Sequence, residues 1–144
     1  MWVAVWWSVG ASASAPAADA VVEALTARHP VPGAGVEAHA TDPVAELRWV
    51  VDHVQRPPWA PMRAADCLIQ HHASEVGGLL RAWVTDPEKR GLGRLVVARL
   101  HVVPVAQAIE LGNLALERSS EPARVKRTLA RSPSQELRAL VPAD

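Results

Sequence analysis

Apolar positions recur at three- and four-residue spacing in a series of stretches, each closed by proline, glycine or a Ser/Asp start signal. In the longest, within Pro61 to Arg90, Ala65, Leu68, Ile69, His72, Val76, Leu79, Leu80 and Trp83 fall on one broad face. This period predicts a helix near residues 62–84 packed against a core. Cys67, His71 and Glu75 are spaced i, i+4, i+8 and form a second line beside that face. Upstream, Asp42 as N-cap and Pro43 at N1 open a helix over residues 43–55, with Val44, Leu47, Val51 and Val54 inward and Pro57-Pro58 as its stop. RWVVDHV also reads locally as a strand, but the agreeing cap and stop favour the helix. A shorter helix from Asp19 to Arg28, with Val22 and Leu25 inward, ends at His29-Pro30 and leaves HPVPGAGVEAHATDP as a loop.

Downstream, Thr85 with Glu88 has capping-box spacing, and Asp86 with Pro87 gives an alternative cap and N1 pair. Leu92, Leu95, Val96, Arg99, Leu100 and Val103 then predict a helix over residues 87–103, which Pro104 kinks or separates from the next one at 105–118. Val105, Ala108, Ile109, Leu111, Ala115 and Leu116 mark that helix, weakened by Gly112. Ser119-Ser120-Glu121-Pro122 resets the chain before a short ARVKRTLA helix, and Ser132-Pro133-Ser134-Gln135 combines a cap, a first-turn proline and a capping-box Gln. The expected fold is all-α: a small helical bundle of short, proline-punctuated helices over residues 18–141, preceded by a flexible or signal-like segment at 1–17.

Composition narrows the readings further. A length of 144 residues allows one domain. Six Trp with no Phe or Tyr mean that Leu, Val and Trp fill the interior. Fifteen basic residues balance fifteen acidic ones, so a strongly basic nucleic-acid footprint is absent. Arg118, Arg124, Lys126, Arg127, Arg131 and Arg138 nonetheless gather in the C-terminal helices, as a solvated surface or a basic docking face. The single cysteine rules out an intramolecular disulfide and makes Cys67 a small buried hydrophobe. The N-terminal run is too short to cross a bilayer. It carries Ala11-Ser12-Ala13 but no Lys or Arg before Arg28, which favours a cytoplasmic chain over an exported one. Trp2, Trp6 and Trp7 are the residues that would enter a membrane interface. Apolar faces spread over several short helices leave surface for a homodimer to cover.

Two segments resemble known families. Asp66-Cys67-Leu68-Ile69-Gln70-His71-His72 resembles the paired-histidine signature of a ferritin-like helical family, in which a Q-x-x-E-hydrophobic element follows about one hairpin later. Gln107-Ala108-Ile109-Glu110-Leu111 stands in that place, with Leu114 at a further apolar position. Glu75 and Gly78 depart from the family's pattern, and Pro104 interrupts the approach to Gln107. Pro87-Glu88-Lys89-Arg90-Gly91-Leu92-Gly93 resembles the P-x-x-R-G-x-G segment of the N-acetyltransferase superfamily. That resemblance implies a strand at LLRAWV and acetyl-coenzyme A held by Arg90, Gly91, Gly93 and Arg94, its pyrophosphate on the backbone N–H groups.

The candidate chemistry follows from donor types. Adjacent histidines on a helix point about 100° apart, so His71 and His72 need another segment to share one ion. His71 with Glu75 faces one ligand more readily, and Cys67 or Glu110 supplies a further donor. A thiolate with imidazole favours zinc or copper, and histidine with glutamate permits iron or manganese. The expectation is a helical binding or interaction module, holding a divalent transition metal or small ligand through its histidine-bearing helix. The alternatives are an acetyl-coenzyme A-dependent N-acetyltransferase and a purely structural homo-oligomeric protein.

Overall fold

The first element after the N-terminal stretch is α1 (Asp19–Thr26), whose Val21 and Leu25 are buried. The computed structural model describes residues 16–27 and 36–143. The flexible or signal-like expectation for residues 1–17 therefore falls almost wholly outside the described residues, as do residues 29–35 of the loop after Arg28. Asp42 caps α2 (Pro43–His53) by accepting the Ala45 N–H at 3.2 Å, with Pro43 in the first turn. Prolines 57 and 58 then separate α2 from α3 (Trp59–His72), which buries Ala60, Ala64, Ala65, Cys67, Leu68 and Ile69. A turn at 73–76 leads to α4 (Gly77–Thr85), and Asp86 caps the following 3-10 turn by accepting the Glu88 N–H at 2.9 Å. Next come α5 (Arg90–Arg99), a second 3-10 turn, α6 (Val105–Arg118), α7 (Pro122–Ala130) and the one-turn α8 (Gln135–Arg138). The described residues thus form an all-α bundle of eight helices without a strand.

One core joins these helices. Leu47 and Val50 of α2 pack on α3, and α4 packs on both α5 and α6. Trp83, 1 % exposed, is the largest buried side chain. Leu100, Leu111, Leu129 and Leu137 fill the other half, where α6 meets α7 and α8. Among the described residues the apolar interior is thus built mainly of aliphatic side chains around the Trp83 indole, with Trp49 packed at its edge. Gly93 allows α5 to approach α4 closely, because a Cβ there would lie 2.6 Å from the Trp83 carbonyl oxygen. Glu46 is buried at 3 % exposure and is satisfied by the Thr41 and Asp42 N–H groups, both donating to its Oε1 at 3.1 Å.

Several expected boundaries and faces move. The helix expected over residues 62–84 is two helices: the chain turns after His72, with the Glu75 N–H donating to the His72 carbonyl at 2.9 Å. Gly77-Gly78 follows immediately, and two adjacent residues with poor helix propensity give the break its place. The helix expected over residues 87–103 becomes a 3-10 turn, α5 and a second 3-10 turn, and Pro104 separates rather than kinks it. In α1 it is Val21, not Val22, that is fully buried beside Leu25. The buried face of α2 centres on Leu47 and Val50, leaving Val44, Val51 and Val54 partly covered. The last helix is capped by Ser134 rather than Ser132, its hydroxyl accepting the Leu137 N–H at 3.3 Å. LLRAWV lies within α4, so the strand implied by the acetyltransferase resemblance is absent and Arg90 to Arg94 are helical.

Candidate functional site

The histidine-bearing helix ends in a bridged imidazole. His72 closes α3 and is half-buried, with Nε2 3.0 Å from Glu37 Oε1 and Nδ1 3.1 Å from Glu75 Oε1. The two ring nitrogens diverge, so each carboxylate meets a different edge of the ring. Two acceptor carboxylates are satisfied together by the doubly protonated imidazolium, which has two N–H donors. Burial lowers the pKa of His72, but the hydrogen bonds and charges of Glu75 and Glu37 outweigh it, and the net direction is upward.

The other expected metal donors are spread apart. His71 is exposed on the neighbouring face of α3. Glu110 on α6 is engaged by Arg81 of α4, whose Nε donates to it at 2.7 Å. Cys67 is buried at 8 % exposure, and desolvation, followed by the charges of Glu37 and Asp66, pushes its thiol up to about 11. A thiol so placed resists conversion to the thiolate that binds soft metals. Among the described residues no group of three or more His, Cys, Asp or Glu side chains is arranged to hold a metal ion. Gln107 Nε2 donates to the Ala73 carbonyl at 2.6 Å and so ties α6 to the turn after the histidine helix.

A different site emerges where α4, α5 and α7 meet. A cavity of about 210 Å³ has apolar walls from Trp83, Val84, Val97 and Val125. Its rim carries Arg90, Arg94 and Arg124, with Asp86 and Glu121 as the acidic members. Glu121, at the start of α7, binds Arg94 of α5 through two hydrogen bonds, Nε to Oε2 at 2.7 Å and Nη2 to Oε1 at 2.6 Å. Arg124 Nε stands 3.5 Å from the same carboxylate. The hydrogen bonds from Arg94 hold the Glu121 carboxyl below the usual range. Arg90 instead donates to the Pro87 carbonyl at 3.0 Å. The Trp83 indole N–H is buried with no acceptor among the described residues.

Sequence reasoning reached part of this site by another route. Arg90, Gly93 and Arg94, singled out as a cofactor loop, line the groove as residues of a helix, whereas Gly91 is exposed beside it. Arg124 belonged to the C-terminal basic group and pairs locally with Glu121 at i, i+3, whereas the tie to α5 is the long-range pair of Glu121 with Arg94. The juxtaposition of 83–98 with 119–128 has no local signal in the chain. Comparison of the chain with protein-family models, curated proteins and solved structures gives no match.

Proposed function

We propose that the protein is a helical binding module whose ligand site is the groove between α5 and α7, floored by α4. The cavity beside Trp83 carries this reading: apolar walls with a few convergent polar groups on the rim are the usual make-up of a small-molecule site. Valine and indole surfaces receive an apolar group, and the arginine rim fixes orientation by directional, charge-assisted hydrogen bonds. The site lies away from the histidine helix, whose imidazole is already occupied by two carboxylates. A two-dimensional NMR screen with aromatic fragments tests it. Shifts should gather on the Trp83 indole N–H, Val97, Ser119 and Thr128, and Ser120→Trp, which places an indole at the exposed mouth, should abolish them. Shifts confined to His71, His72 and Glu75 would return the site to the histidine helix.

Self-association is a second reading, favoured by Trp59 and Met62, 44 % and 37 % exposed at i, i+3 spacing on the first turns of α3. Sedimentation velocity over a hundredfold concentration range should then show a dimer lost in Trp59→Ser, and a monomer throughout removes this reading.

A further inference from the structure

A second hollow adjoins the first along the same pair of helices. It measures about 350 Å³ and shares Val97, Ala98, Arg124 and Thr128 with its neighbour, so the two are chambers of one groove. Its chemistry is different. The new lining residues include His101, Arg127, Arg131 and Ser132, and no carboxylate. Arg124, Arg127 and Arg131 follow one another at i, i+3, i+7 from α7 into the turn after it, a spacing that keeps them on one side of the helix. Across both chambers five arginines face two carboxylates, in a chain whose formal charge is zero. Both carboxylates, Asp86 and Glu121, belong to the first chamber. There Glu121 occupies Arg94 and draws on Arg124, while Arg127 and Arg131 have no carboxylate partner among the described residues.

We infer that the groove takes an elongated phosphorylated small molecule, its apolar body in the chamber beside Trp83 and its phosphate in the chamber of Arg124, Arg127 and Arg131. The inference rests on the binding-module reading and adds the ligand's chemical class. Several guanidinium groups around one hollow suit an anion with three acceptor oxygens and up to two charges better than a single carboxylate, since each planar fork can donate to a pair of oxygens. Ser132 adds a hydroxyl to the same chamber, while the Thr128 hydroxyl donates to the Arg124 carbonyl at 3.0 Å. The combined space falls within the range of small-molecule sites, about 300–1,000 Å³. A polynucleotide is the less favoured occupant, because the sequence has no aromatic residue among the C-terminal arginines on which a base would stack.

The test uses three probes on the full chain, 1-naphthyl phosphate, neutral 1-naphthol and inorganic phosphate, titrated calorimetrically at neutral pH. Naphthyl phosphate should bind at least about tenfold more tightly than naphthol, the factor expected for one or two charge-assisted hydrogen bonds. Arg127→Gln with Arg131→Gln, both at exposed positions, should reduce naphthyl phosphate to the affinity of naphthol and leave naphthol unchanged. Ser120→Trp should abolish naphthol binding while inorganic phosphate still binds weakly. Equal affinities for naphthol and its phosphate would overturn the phosphate assignment and leave the binding module standing. Failure of both aromatic probes would overturn the module as well. A single-stranded oligonucleotide that binds more tightly than naphthyl phosphate, with affinity falling steeply in salt and lost in the arginine double variant, would make the groove a nucleic-acid surface and overturn the inference.

Discussion

At the scale of single residues, the structure separates side chains that the sequence places together. Cys67, His71 and Glu75 share a line on paper, yet Cys67 is buried while the other two are exposed. That difference predicts a sluggish thiol. With its pKa pushed up to about 11, Cys67 should react with a disulfide reagent at pH 8 at least about tenfold more slowly in the folded protein than in urea. A folded-state rate equal to the rate in urea would contradict the burial. His72 was placed on the core-facing side of its helix and is half-buried there, but its partner Glu37 lies 35 residues upstream and could not be read from local spacing. Glu75 was expected to act with His71 and instead pairs with His72 at i+3; it is 63 % exposed and screened by solvent, so Glu37, 23 % exposed, supplies the stronger tie. Glu37→Gln should therefore lower stability at pH 6 by about 1–2 kcal/mol in urea unfolding, and Glu75→Gln by less.

Among the elements, start and stop signals were more legible than length. Asp42 with Pro43, Asp86 with Pro87 and Pro122 in the first turn of α7 all stand where the chain's local chemistry puts them. Each acts through its own backbone and needs nothing from the rest of the fold. Asp42→Ala should accordingly cost about 1 kcal/mol in urea unfolding, a loss that Asp42→Ser should largely restore. The continuous helix expected over 62–84 shows where periodicity misleads: the apolar face carries on in phase across a turn. Ala65, Leu68 and Ile69, and then Leu80 and Trp83, all reach the core, but they do so from two helices. Buried Glu46 was invisible for a related reason, because its role is to close the backbone of Thr41 and Asp42, and its burial depends on how α2 settles on α3.

For the whole molecule, the all-α architecture was legible because many weak periodic signals agreed. The groove was not, because it is made by pairing α5 with a helix that starts more than twenty residues later. The His72 bridge also gives the molecule a pH-dependent stability. The folded-state pKa is raised above 6.5, so the bridge contributes fully below that value, and its contribution fades as the pH rises through the folded-state pKa. The stability difference between the parent protein and His72→Gln should shrink from pH 5.5 to pH 8.5, followed by urea midpoints at each pH. A difference that grows over this range would mean that His72 is held neutral.

The close approach of α4 and α5 also sets which spellings of the groove are available to mutation. At Gly93 any β-carbon meets the Trp83 backbone rather than a side chain that can swing away, whereas Gly78 and Gly91 have nothing within 4 Å. In a saturation library sorted for folded protein, position 93 should keep its glycine codon while 78 and 91 drift freely. The groove's diversity of recognition would then be written in the arginines and serines of its α7 side, over a floor that evolution can scarcely edit.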